Sequence, residues 1–261
     1  MCWRNQFYNC HRGCQVTFYI KAIGYENIPI RLLKDGISVL SGPLSALFSS
    51  SITWNCYPSG WKYGQVSLIF KKDLKHLKSN YRPITFITVV VIFNSIFQRI
   101  LSKQLCKFFD NILSSNLSSY RKNFSCQTSL ICIVEELRIA RDNGAIASIV
   151  GIDLSKAFDC LPHRLLLAKL KAYGLSEDSV LLMESCLSNR FQRVKIGDTF
   201  SVWLRVVKGI PQGSVLEPLF FNIFMNDTMF TSFHSYVSSY ADDIQFLKLV
   251  SMPLRFSREC R

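Results

Sequence analysis

Acidic residues are scarce in this chain: 18 aspartates and glutamates stand against 31 lysines and arginines in 261 residues, a formal net charge of +13. The imbalance favours a polyanionic partner such as nucleic acid, or an anionic membrane surface. Long apolar runs are also lacking. The longest, Ile84 to Phe97, is broken by Thr85, Thr88, Asn94 and Ser95, whereas a spanning helix needs roughly 20 mainly apolar residues. Met1 to Gln15 holds no apolar run followed by small residues, so no secretory signal is expected. An intracellular protein of the nucleus or cytoplasm follows, not secreted and not in the membrane. No Cys-x-x-Cys pair occurs among the 10 cysteines, which speaks for free thiols in a reducing compartment. Cys10, His11 and Cys14 have no second ligand cluster to complete a zinc site. Gly/Ser-rich or Pro-rich linkers and internal repeats are absent too.

Periodicity is present instead. Apolar Ile37, Leu40, Leu44, Leu47 and Phe48 recur at helical spacing, and Tyr63 to Phe70 alternates like a strand. Helices are expected from about Ile87 to Phe109 and from Gln127 to Arg141, the latter ending at Asn143-Gly144. Ala147 to Leu154 is almost wholly apolar, the pattern of a central buried strand delivering Asp153 at its end. Further helices are expected from Pro162 to Leu170, Val180 to Leu187 and Leu216 to Met229. Strands are expected at Phe191–Ile196, Ser201–Val207, Tyr236–Tyr240 and Ile244–Val250. Helices and strands mix without strict alternation, which predicts an α+β fold.

The chemistry concentrates in acids. Asp242 and Asp243 are adjacent in a predicted hairpin turn, where two carboxylates repel each other unless solvated or neutralised. A divalent cation is the natural compensator, since hard cations take carboxylate oxygens. Asp153 ends an apolar strand, where an unpaired carboxylate is costly to bury. If that strand neighbours the hairpin, three acids can hold two Mg²⁺ ions for phosphoryl transfer.

Asp153-Leu154-Ser155-Lys156-Ala157-Phe158-Asp159, then Gly209-Ile210-Pro211-Gln212-Gly213-Ser214, then Tyr240-Ala241-Asp242-Asp243 resemble, in order, the polymerase motifs of reverse transcriptases. Asn80-Tyr81-Arg82-Pro83-Ile84, Tyr120-Arg121-Lys122 and Gln127-Thr128 resemble the jockey type of non-LTR retrotransposon in particular. The resemblance covers roughly Ile28 to Leu247. It implies a right-hand polymerase fold, with fingers and palm, a central antiparallel sheet and flanking helices. Residues 28–145 would be fingers-like and 146–261 palm-like, the two partly interleaved, after an N-terminal segment 1–27 of the kind that is often disordered at termini. It also implies RNA-directed DNA polymerase activity on an RNA template and a DNA primer, with deoxynucleoside triphosphates and two Mg²⁺ ions, Mn²⁺ serving as a substitute.

The resemblance makes Asp153, Asp242 and Asp243 the catalytic metal ligands. Phe158 would exclude a 2′-hydroxyl, Gln212 and Gly213 would line the nucleotide pocket, and Arg82 and Arg121 would neutralise the triphosphate. Asp159 is expected to cap the helix beginning near Pro162. Three departures stand out: Glu217 and Ser119 where the family has glycine, and Pro162 and Arg164 flanking His163 where it has acids. Only 18 residues follow Asp243, so the family's thumb and later palm elements are expected to be missing. The competing expectation is an inactive, degenerate retrotransposon remnant with at most weak nucleic-acid binding.

Overall fold

The computed structural model describes residues 30–70, 74, 76–77, 80–87, 90–210, 213–230 and 235–251. Cys10, His11, Cys14 and Gln212 lie outside the described residues. In chain order the elements are α1 (Ile30–Asp35), α2 (Ile37–Thr53), β1 (Tyr63–Phe70), β2 (Tyr81–Ile87), α3 (Val90–Phe109), α4 (Cys126–Asp142), β3 (Ala145–Asp153), α5 (His163–Ala172), α6 (Glu177–Leu187), β4 (Arg190–Ile196), β5 (Thr199–Phe200), β6 (Leu204–Val206), α7 (Glu217–Met225), β7 (Ser235–Tyr240) and β8 (Asp243–Ser251). The chain forms two compact units, each from two separated stretches: Met1–Phe108 with Phe158–Phe220, and Phe109–Ala157 with Phe221–Arg261.

In the first unit, Leu44, Phe48 and Ile52 recur every fourth residue of α2 and form its buried stripe, while Leu47 turns outward. Phe48 stacks on Phe97 of α3 with ring centres 5.1 Å apart, and Tyr57 and Trp61 close round the same ring at 5.7 and 5.6 Å. Burying each such ring contributes about 1.5–3 kcal/mol relative to exposure. The sheet of this unit runs β2-β1-β4-β5, with β6 also paired to β4. β1 lies parallel to β4 and antiparallel to β2. Gly197, at φ +58, turns β4 back into β5, a left-handed conformation that glycine adopts without steric cost.

In the second unit, Ser125 caps α4 through a reciprocal pair of bonds with Thr128, and the helix stops at Asn143-Gly144 as its composition predicts. An antiparallel sheet follows, in the order β3-β8-β7. Here the structure corrects the sequence reading: β3 is the edge strand of this sheet, not a central buried one. Ile146, Ile149, Val150 and Ile152 are each between 43 and 54% exposed. An unbroken apolar run marks a strand able to be covered on both faces, but the cover must come from partners, and among the described residues β3 has a ladder on one side only.

A second correction concerns Asp159. The N-cap position of α5 is Pro162, so Asp159, three residues earlier, is not its N-cap residue. Proline fixes φ near −65° and so starts the helix without a side-chain acceptor.

Candidate active site

The hairpin turn is built by two residues. Tyr240 stands opposite Asp243, leaving Ala241 and Asp242 to connect β7 with β8. Ala241 takes φ +57, an uncommon conformation for alanine, of the kind that two-residue hairpins need to match strand twist. Ser239 Oγ donates to the Ala241 carbonyl at 3.0 Å, and the Leu154 amide donates to the Asp242 carbonyl at 3.2 Å. The outer edge of β7 is held as well: Ser118 N donates to Ser239 O, and Ser239 N to Asn116 O. The turn is thus clamped by backbone on both sides.

These clamps set the acids. Asp153 stands directly opposite Asp243 in the β3–β8 register, and Asp242 is bonded through its carbonyl to the residue after Asp153. Asp153 and Asp243 are exposed and Asp242 is half-buried. Opposed residues in an antiparallel pair have Cα atoms roughly 4.5–5.5 Å apart, so the backbone brings Asp153 and Asp243, with Asp242 in the adjoining turn, to one end of the sheet. An all-oxygen donor set at an open strand end suits a hard divalent cation. Among the described residues, no three acidic, histidine or cysteine side chains are drawn together as a metal-ligand group. The fit to such an ion rests on the register of the three oxygen-donor residues.

The glycine-bearing motif lies in the first unit. Gly209 takes φ +79; its amide donates to Leu161 O at 2.7 Å and the Ile210 amide donates to Phe158 O at 3.0 Å. A Cβ on Gly209 would come within 2.5 Å of the Asp159 carbonyl oxygen, so glycine is required by close approach as well as by conformation. His163 Nε2 donates to Gly209 O at 2.6 Å, a use for this side chain that spacing alone did not suggest. Phe158 is half-buried. Further on, Gln98 of α3 accepts from Ser214 Oγ at 3.1 Å and from Val215 N at 3.0 Å, while its own amide donates to the buried Tyr57 hydroxyl at 3.1 Å. Gln98 thus positions the turn after Gly213, and no local sequence pattern marks it.

Glu217 begins α7 and turns back on this loop: its Oε2 accepts from the Gly213 amide at 2.7 Å. Burial pushes its carboxyl from the ordinary 4.5 up to about 7; the Gly213 bond opposes the rise and the nearby Asp159 charge adds to it. Arg82 stands in β2 opposite Ile69 of β1.

Arg121, in the second unit, is engaged locally. Its Nη1 donates to the carbonyls of Ser114 and Leu117 and its Nη2 to that of Asp110, with the guanidinium 4.4 Å from the Phe124 ring centre. Its side chain is only 10% exposed. The structure therefore uses this fork to hold a loop, and only its remaining N–H bonds are left for a phosphate. Ser119, where the family has glycine, is buried and accommodated: its carbonyl accepts from Asn222 Nδ2 at 2.8 Å.

The model of the family described as reverse transcriptase (RNA-dependent DNA polymerase) matches residues 69–248, more than half of the chain. The chain belongs to that family. It is 24% identical over 208 residues to a probable RNA-directed DNA polymerase from transposon X-element of Drosophila melanogaster, covering 77% of this chain and 22% of that protein. It is 25% identical over 232 residues to the RNA-directed DNA polymerase from mobile element jockey of the same organism, covering 85% and 25%. The chain thus spans about a quarter or less of these non-LTR transposon relatives. Apo telomerase from Candida tropicalis matches with a TM-score of 0.52 at 14% identity, over 80% of this chain and 43% of that one. The fold is the α+β right-hand polymerase fold of reverse transcriptases.

Proposed function

We propose that this reverse transcriptase domain extends a DNA primer on an RNA template with deoxynucleoside triphosphates. The observation that supports this reading is the register of Asp153 against Asp243, with Asp242 in the adjoining turn. Asp153 and Asp242 would hold two Mg²⁺ ions, with Asp243 as the third acid and Mn²⁺ as a substitute. Bound there, the ions supply charge neutralisation and activate the attacking hydroxyl. Gly213 and Gln212 line the nucleotide pocket, Phe158 rejects a 2′-hydroxyl, and Arg82 meets the triphosphate. On this reading the protein works inside the cell, in nucleus or cytoplasm.

The test is primer extension on an RNA template in Mg²⁺ and in Mn²⁺. Short, divalent-dependent products are expected, and Asp153→Asn and Asp242→Asn should each reduce them on the order of 100-fold or more. Products that survive both substitutions would sink the reading.

One observation favours the rival reading of an inactive remnant: the Glu217 carboxylate occupies the Gly213 amide that the nucleotide pocket would use. Extension gained in Glu217→Gly identifies that contact as the block, and silence in every variant supports the remnant.

A further inference from the structure

One face of the first unit's sheet carries a continuous run of rings and cations. By register, Phe191, Arg193 and Lys195 of β4 share a side with Tyr63, Gln65 and Ser67 of β1, and Lys195 stands opposite Phe200 of β5. Tyr63 stacks on Phe191 with ring centres 5.5 Å apart and meets Trp203 edge-on at 5.2 Å. The Arg193 guanidinium lies 4.2 Å from the Phe200 ring centre and 4.7 Å from that of Trp203, and Lys195 Nζ lies 5.5 Å from Phe200. Arg193 Nη2 also donates to Gln65 Oε1 at 3.4 Å, which ties β4 to β1 on this face.

Charge on these strands is one-sided. Residues 190–208 hold Arg190, Arg193, Lys195, Arg205 and Lys208 against the single acid Asp198. Arg190 is buried on the Cys186 and Trp61 carbonyls, whereas Arg205 and Lys208 are exposed. Phe200 keeps 43% of its surface in water and Tyr63 36%. A hydrophobic protein partner would suit the rings but not the excess of cations; a polyanion with flat, stackable bases suits both. Rings with adjoining cations are the means by which single strands are held, because every base has a face to stack and every linkage a phosphate to neutralise. A duplex hides its bases and can use only the charge.

We propose that this face of β1, β4 and β5, with Trp203, binds single-stranded RNA, a base stacking on Phe200 and phosphates meeting Lys195 and Arg205, which stands opposite Phe191. The choice of RNA rests on the family reading, but the surface uses none of the three acids and no metal. Binding and polymerisation can therefore fail separately.

The experiment is fluorescence anisotropy of the whole chain with a labelled single-stranded RNA of about 12 nucleotides, a length within the range of such sites, in EDTA. Duplex RNA of the same length is the comparison. The single strand is expected to bind about 10-fold more tightly than the duplex. Phe200→Leu, which keeps an apolar side chain but removes the ring, should weaken it about 5-fold or more. Phe200→Trp should restore it, and Lys195→Gln should lower the salt slope by about 0.7. Equal affinity for duplex and single strand would overturn the proposal, leaving only the overall charge. So would parental affinity in Phe200→Leu, or no RNA binding at low salt. Because EDTA removes divalent ions, primer extension has no bearing on the result.

Discussion

Asp153 of β3 and Asp243 of β8 face each other across an antiparallel ladder, two like charges held opposite by backbone hydrogen bonds. Such pairs are destabilising. Asp153→Asn is therefore expected to raise the urea midpoint in EDTA. Adding Mg²⁺ or Mn²⁺ should raise the midpoint of the parent and not that of the variant. A variant less stable than the parent in EDTA would show that other groups already compensate the pair.

Glu217 gives a pH signature. Its carboxyl is raised from 4.5 to about 7 in the folded chain, chiefly by burial, so the folded state binds this proton more tightly than the unfolded state does. Its contribution is fully present below about pH 4.5 and is lost as the pH rises through about 7. Partial solvent exposure keeps the effect on the order of 1 kcal/mol. Urea midpoints at about pH 5 and about pH 8 should differ in the parent, and the difference should shrink in Glu217→Gln.

Gln98 links the aromatic core to the turn after Gly213. Replacing it with Leu leaves the Ser214 hydroxyl and the Val215 amide without their acceptor. A loss of about 1–3 kcal/mol is expected. Faster hydrogen exchange at the Val215 amide is the local readout, and unchanged exchange would mean that the turn holds itself.

Gly209 combines φ +79 with a backbone oxygen 2.5 Å from where a Cβ would sit. Gly209→Ala is expected to cost about 2 kcal/mol or more, read as a lower thermal midpoint or loss of soluble chain. A midpoint equal to the parent's would show that the 158–161 segment can yield.

Arg121 forks onto carbonyls of residues 110, 114 and 117 and stacks on Phe124. Lysine keeps the charge but cannot make the fork. Arg121→Lys should lose about 1–3 kcal/mol, measured by urea unfolding, and a neutral result would free this residue for the triphosphate.

Most elements were legible because their periodicity is local: β1 spans the alternating stretch itself, and α4 starts and stops at its own caps. The neighbourhood of Asp153 and Asp242 was legible from motif order, since a strand ending in an acid and a hairpin bearing two need only pair. What stayed hidden depends on contacts that no motif or periodicity encodes. The apolar text of β3 reads the same whether one edge is paired or two. That Arg121 forks onto the carbonyls of its own loop is marked by no motif. Glu217 reads as an intruding charge, yet its carboxylate has an amide to accept from four residues back.

The edge strand has a consequence in time. β3 is completed at Asp153, and its ladder partner β8 starts at Asp243, 90 residues later. At about 5–20 residues per second, the ribosome leaves the apolar segment from Ala145 to Ile152 waiting roughly 5–20 seconds with both edges open. That segment contains no proline and no charge to discourage pairing with another nascent chain. Yield during expression should therefore depend on translation speed and on chaperones that shield strands, more than on the stability of the finished protein.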